Sequence, residues 1–470
     1  MARGQRAEDS GVAALEERLR GELLREDDEG YDEARTVWNA MIDREPELVA
    51  RPTGVADVVA AVDFARETDR LVSIKGGGHS VAGNAVCEDG LMIDLSEMKG
   101  VHVDPATRTV QVGPGATVGD MDHETQAFGL ATPGGVVSTT GVAGLTLGGG
   151  FGWLSRRYGL AVDNLRSAEI VTADGAVVTA SEDENSDLFW AIRGGSGNFG
   201  VVTSFEFDLV EVGPEVLFGP GVYPYEDAAD VLRHYRDFCR DAPNECCVWA
   251  DSMTAPPLPF LPEDVHGSTV LVLMQAYVGD LEEGERVLES LREYGDPIAD
   301  AVGPAPYATA QRTFDDLLTP GARNYWKSHN YTELTDATLD TVVDYANRAP
   351  TPQSEVLIHQ VGGAINDVAP DATAYPHRET AFIITPGARW EDPANDEECI
   401  AWVRACHDAL AEDATGGTYV NFEGEREGHE RNAYGGNYDR LVEIKVEYDP
   451  TNLFRVNQNV EPPTARSDDD

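Results

Sequence analysis

Apolar residues recur at helical spacing over residues 11–26, which predicts a surface helix ahead of the main fold. In RPTGVADVVAAVDFARE, Val55, Val58, Val59 and Val62 form one stripe of a second helix, and Thr53 stands where an N-cap is expected. Short apolar runs at LVSI and GLMIDL predict strands. VHVDPATRTVQVGPG and AEIVTADGAVVTAS each pair two alternating runs around a polar turn, the pattern of a hairpin. A helix is expected around 117–128 and another from Ser186, followed by a strand at GVVTSFEFDLV.

Beyond residue 214 glycine becomes sparser and the elements lengthen. STVLVLMQAYVG, NYWKSHNYTEL, SEVLIHQVGG and ETAFIITPGARW read as strands, separated by helices near 227–240, 283–294, 335–348 and 394–411. This order predicts an antiparallel sheet with helices on one side, and hence an α+β chain. The last 50 residues return to the earlier character, with YVNFEGE, a helix at NYDRLVEIKVEY, and DPTNLFRVNQNV.

The 470 residues suffice for two or three domains with substantial cores. Charge changes the picture: 35 Lys+Arg against 84 Asp+Glu leave a net charge of −49. Such a field repels phosphate backbones and anionic headgroups, so neither nucleic acid nor a membrane surface is expected as a partner. The acidity is spread along the chain, as in EDENSD, EDPANDEE and the final RSDDD, and lysines number four (Lys75, Lys99, Lys327, Lys445). With 41% hydrophobic residues and seven Trp, this reads as a folded protein with an acidic shell adapted to high salt. The six cysteines show neither zinc nor disulfide spacing, and no metal site is suggested. MARGQRAEDS lacks an apolar leader and no long apolar run occurs, so a cytoplasmic location is expected. The sequon at Asn330 carries little weight without a secretion signal.

Two glycine loops suggest a cofactor. Gly76-Gly77-Gly78-His79-Ser80 follows a strand, and its bare backbone can approach a diphosphate closely. Pro133 to Gly152 carries eight glycines, enough to wrap an extended flat ligand or to make tight turns. The formal dinucleotide fingerprint, Gly195-Ser-Gly197-Asn-Phe-Gly200, has a helix before it and a strand after it. That is the reverse of the Rossmann context, and it disfavours a nicotinamide dehydrogenase.

RPTGVADVVAAV, KGGGHSVAG, PGGVVSTTGVAGLTLGGGFG and NYDRLVEIKVEYDPTNLFRVNQNV, in this order, make the chain resemble the FAD-linked oxidases of the vanillyl-alcohol oxidase type, berberine-bridge-enzyme-like branch. The resemblance covers about residues 50–210 and 415–463. It implies a two-lobed FAD-binding domain at 1–213, with an N-terminal helical extension over 1–45. A substrate domain at 214–415 and a C-terminal segment at 416–470 that returns to the FAD domain complete it. It implies FAD bonded covalently to His79, an imidazole being a competent nucleophile at neutral pH. Many relatives carry a second link through a cysteine; Val137 stands in that position here, so a single histidyl link is expected. Thr140 stands at the position that gates dioxygen, and its valine-like shape implies an open gate and an oxidase that releases hydrogen peroxide.

Expected cofactor contacts in the first loop are Lys75, Gly76, Gly77, Gly78, Ser80, Val81, Gly83 and Asn84. Those in the second are Pro133, Gly134, Val137, Ser138, Thr140, Gly141, Gly144, Leu145, Gly148, Gly149, Gly150 and Gly152. Gly200, Val202, Asn421, Asn457 and Asn459 complete the set.

The expected reaction is hydride transfer from a small alcohol, sugar or amine, with a base taking the O–H or N–H proton. The family's base is often the second tyrosine of Y-x-N-Y, but Tyr419-Val420-Asn421-Phe422 lacks it. Tyr419 could substitute only if it faced the flavin. Tyr325, Lys327 and His329 alternate on one strand face; Ile358 and Gln360 share a face of another strand, with His359 turned away. Candidate catalytic residues are therefore Lys327, Tyr325, Gln360 and Tyr419. His377-Arg378 could bind an anionic group or end a strand, and His102 and His123 read as structural. Two alternatives stay open: a dehydrogenase using another electron acceptor, and a flavin- or ligand-binding protein without turnover.

Overall fold

The computed structural model describes residues 11–424, 428 and 430–463; the opening MARGQRAEDS, Glu425 and the final RSDDD lie outside them. Residues 11–18 are helical, but the helix stops there and Glu22–Leu24 forms an edge strand. That strand pairs antiparallel with Leu48–Arg51, which runs parallel to Leu91–Asp94, itself parallel to Val72–Lys75. The valine-rich helix Val55–Thr68 covers this sheet. Its N-cap is Gly54, not Thr53. Thr53 instead donates from its backbone N and its hydroxyl to Asp57 at 3.0 and 3.2 Å, so the helix entry is tied one turn further in.

Both expected hairpins form, Val101–Asp104 with Thr109–Val112 and Leu165–Val171 with Val177–Ser181, and Val201–Asp208 joins them into a five-stranded sheet. Thr117 caps Val118–Gln126 through a reciprocal capping box with Asp120. Ser186–Ile192 is the short helix expected before Gly195.

A nine-stranded, mainly antiparallel sheet follows, built around Glu215–Pro224, Thr269–Tyr277, Cys246–Thr254, Glu355–Gln360 and Phe382–Trp390. Helices Ala228–Asp241, Asp336–Ala346 and Asp396–Leu410 pack on one face with a core that includes Tyr235, Leu339, Ile358 and Cys406. The other face carries Trp249, Met274 and Ile383, which pack against Phe151, Trp153 and Tyr419 of the flanking loops.

The C-terminal helix Tyr438–Tyr448 returns to the five-stranded sheet, burying Leu441 and Ile444 against Phe189, Phe199 and Val202. It is locked by a buried ion pair. Lys445 Nζ lies 2.7 Å from Asp449 and donates to the carbonyls of Asn198 (2.6 Å) and Phe454 (2.9 Å). Every proton of the ammonium is used, which is what makes a fully buried lysine tolerable.

Candidate functional site

A cavity of about 1070 Å³ runs from the parallel sheet to the large sheet. At one end lie Val72, Ile74 and Leu95, in the middle the two glycine loops, and at the other end the face bearing Trp249, Asp251 and His359. The loops meet backbone to backbone: a Cβ on Gly77 would fall 2.4 Å from Gly141 N, and one on Gly141 would fall 2.3 Å from Gly77 N. Only a pair of glycines permits that approach, and it turns His79 and Thr140 toward the same space.

His79 lies between these loops. Its Nε2 is 2.9 Å from Thr139 Oγ1, its Nδ1 is 3.5 Å from Thr140 Oγ1, and its ring stacks on Trp38 at 5.1 Å. Burial pushes its pKa down to about 4, the Asp315 carboxylate opposing only in part. The ring is therefore neutral at physiological pH and keeps a lone pair.

Of the expected contacts, Gly76, Gly77, Gly78, Ser80, Asn84, Val137, Thr140, Gly141, Gly144 and Leu145 line the cavity, as do Gly200, Val202, Asn421 and Asn457. The remainder support the wall from behind. Lys75 donates to the Ala34 carbonyl at 2.6 Å, the Val81 carbonyl accepts from Asn39, and Gly83 abuts Ile42. Ser138 donates to Asp315 from both its backbone and its hydroxyl. Gly152 closes on the Gly134 carbonyl, behind Pro133. A Cβ on Gly148 would fall 2.2 Å from Asn421 Oδ1, and Gly150 N donates to the Tyr419 hydroxyl at 2.9 Å, so Gly148–Gly150 seat the C-terminal segment. Asn459 lies outside the lining.

The catalytic candidates are placed differently from the sequence reading. Tyr325, Lys327 and His329 do share a face, but it is turned toward the helix Asp396–Leu410. Tyr325 accepts from Arg404 at 3.2 Å, and His329 stacks on His407 at 3.7 Å. Lys327 is buried 3.4 Å from Glu423, outside the lining, while Asn324 and Trp326 point into the cavity. Gln360 likewise faces the helices: its Oε1 accepts from Val248 N at 2.8 Å and its Nε2 donates to the Cys239 carbonyl at 3.4 Å. His359, set aside on parity, faces the cavity. The reason is general: the helical core claims one face of the sheet, so the opposite parity looks inward.

Tyr419 does reach the cavity, because Val420–Phe422 is a turn of 3-10 helix rather than a strand, and Tyr419, Asn421 and Phe422 all meet it. Its hydroxyl accepts from Gly150 N and from Asn421 Nδ2 at 3.0 Å. Arg378 is spent on a bidentate pair with Asp163 at 2.7 and 2.8 Å, and His377 on the Ala433 carbonyl. Buried Asn330 offers no accessible sequon.

Sequence reasoning missed Trp38, Phe151, Ser196, Gly197, Trp249, Asp251, Glu355 and Arg389, all on the wall. The alternation of Trp249, Asp251 and Met253 along Cys246–Thr254 was the available signal for one strand. The residues present fit FAD. The cavity is large and elongated, its middle is bare backbone, and Asn84 Oδ1 and Asn457 Oδ1 are buried on its wall with no partner among the described residues.

Residues 46–181 match the FAD binding domain family, and residues 418–461 the family described as berberine and berberine like. The chain is 32% identical to an FAD-linked oxidoreductase of Dictyostelium discoideum, covering 95% of this chain and 96% of that protein. It is 30% identical to (R)-6-hydroxynicotine oxidase of Paenarthrobacter nicotinovorans, covering 94% and 97%. The structure of xylooligosaccharide oxidase from Myceliophthora thermophila, in complex with xylobiose, superposes with a TM-score of 0.83 at 27% identity, covering 97% of this chain and 100% of that one. With the glycine-walled cavity and the returning C-terminal segment, these likenesses place the chain in the berberine-like family of FAD-linked oxidoreductases.

Proposed function

We propose that this oxidoreductase holds FAD through a single covalent bond to His79, oxidises a small alcohol, sugar or amine, and passes the electrons to dioxygen, releasing hydrogen peroxide. The observation that carries this reading is the unbroken cavity joining His79 in its glycine loop to the aromatic face of the large sheet. Bound FAD supplies a two-electron acceptor for the hydride of a C–H bond next to oxygen or nitrogen.

The chain's own residues supply the rest. The neutral His79 ring, stacked on Trp38 and hydrogen-bonded through Thr139, is held as an oriented nucleophile. Val137 lines the cavity and none of the six cysteines does, which supports one link rather than two. Phe151, Trp249, Trp326 and Phe422 wall the sheet end with apolar surface and exclude water there. Burial pushes the Tyr419 pKa up to about 12, so it stays a neutral phenol that positions the Leu145–Gly150 loop.

Two relatives are named as oxidases, one of hydroxynicotine and one of xylooligosaccharide, which supports a small polar substrate and oxygen as acceptor. No described helix is long and apolar enough to cross a membrane. Six unpaired, buried cysteines accord with a reducing compartment, the cytoplasm.

The test is anaerobic mixing of the purified protein with a panel of sugars, alcohols and amines. At least one should bleach the flavin absorbance, and air should restore it with one peroxide per turnover. Bleaching restored only by an added dye would convert the reading to a dehydrogenase, and no bleaching would leave a binding protein.

A further inference from the structure

The row Met274, Trp249, His359 and Ile383 crosses the large sheet on its cavity side. His359 is boxed by the rings of Trp249 at 4.6 Å, Phe151 at 5.4 Å and Phe422 at 5.4 Å. Its Nδ1 lies 3.2 Å from the Ile383 carbonyl. A carbonyl only accepts, so Nδ1 carries the hydrogen and the neutral ring has its lone pair on Nε2. No described residue hydrogen-bonds to Nε2. A backbone carbonyl thus fixes the tautomer and leaves the other nitrogen as a free acceptor beside the cavity.

The titratable groups that the large sheet and the C-terminal segment bring to this wall are otherwise engaged. Asp251 and Glu355 interact with each other; burial holds the Asp251 carboxyl well above its ordinary range and raises that of Glu355, which disfavours charge on either. Glu423 is paired with Lys327 at 3.4 Å. Tyr419 accepts two hydrogen bonds, and His266 lies within 3.2 Å of the Leu261 carbonyl in the loop beyond the strand end. Phe422 brings no hydroxyl.

We propose that His359 is the catalytic base, a role that rests on the oxidase reading above. Nε2 takes the proton of the substrate hydroxyl or amine. The hydrogen on the adjacent carbon leaves with its electron pair to the bound FAD, and the electrons of the broken O–H or N–H bond form the new C=O or C=N. The proton passes to solvent when product departs.

The groups facing His359 are Cys247 and Asp251 on the neighbouring strand, Glu355 on its own strand and Tyr419 on the C-terminal segment. Burial, opposed by the Ile383 carbonyl, lowers its pKa to about 4. A lowered pKa means that the ring is neutral and competent to accept at every pH above that value. The wild-type rate of flavin reduction should therefore show no acid limb between pH 6 and 8 (about two units above the pKa at the lower end).

His359→Asn retains a donor toward the Ile383 carbonyl but removes Nε2, so it separates chemistry from packing. It should keep its flavin content and absorbance spectrum, yet slow flavin reduction by about a hundred- to ten-thousand-fold at neutral pH. Its rate should climb with pH, and added imidazole should restore part of it. An independent readout needs no turnover: side-chain nitrogen NMR of histidine-labelled protein should find His359 as the Nδ1–H tautomer at pH 7. A variant within threefold of wild type with a flat pH profile, or an Nε2–H tautomer, would overturn the proposal. A protein that binds no flavin would sink the oxidase reading, while the NMR result would still decide the tautomer.

Discussion

At the scale of single residues, Val137 and Thr140 stand three positions apart on the cavity wall, and each answers a different question about the flavin. Under the proposed single histidyl link, Val137 offers no second point of attachment. Thr140, 3.5 Å from His79 Nδ1, would set how much room remains beside the proposed link. Threonine and valine have nearly the same shape, whereas leucine reaches further and has no hydroxyl. Thr140→Leu should slow reoxidation of the reduced flavin in air-saturated buffer by about tenfold, a barrier change of ~1.4 kcal/mol. Stopped-flow absorbance reads this directly, and equal rates in wild type and variant would show that Thr140 does not gate oxygen. His79 was legible because its loop, Gly76-Gly77-Gly78-His79-Ser80, leaves few side chains to choose among, and Thr140 because the resemblance assigns its position. His359 was not, because a strand pattern gives two faces and does not say which is covered.

At the scale of elements, that ambiguity accounts for most of what the sequence concealed. Tyr325, Lys327 and Gln360 were assigned to the inner face, but Val403, Cys406 and Leu410 of the covering helix fix the outer one. The strands Glu215–Pro224 and Cys246–Thr254 are buried on both faces, and Gly219, Pro220 and Gly221 in the first and the polar Asp251 and Ser252 in the second break the apolar pattern that marks a strand. Residues 419–422 look extended in sequence; the 3-10 turn there depends on Gly148–Gly150 across the cavity, a contact no local pattern encodes. By contrast, the hairpins, the helix at 186–192 and the reversed context of Gly195–Gly200 depend on turn residues and short-range periodicity, and these were readable.

At the scale of the whole molecule, the net charge of −49 dominates. Arginine forms many ion pairs, such as Arg233 with Asp340 at 2.6 Å and Arg166 with Asp208 at 2.8 Å, but these are partly or largely exposed and individually weak. They cannot offset repulsion among 84 carboxylates. Salt can, since the screening length falls from about 10 Å at 0.1 M to about 3 Å at 1 M. The melting temperature should rise by several degrees between 0.1 and 1 M potassium chloride; an unchanged value would refute adaptation of the shell to high salt.

The claim on which the functional account turns is the bond at His79, and intact-mass spectrometry of the acid-denatured protein tests it most directly. The wild-type polypeptide should be heavier by one FAD, with the added mass mapping to the peptide containing His79, and His79→Ala should show the bare polypeptide mass. A wild-type chain at the bare mass, or an FAD adduct that survives in His79→Ala, would contradict it.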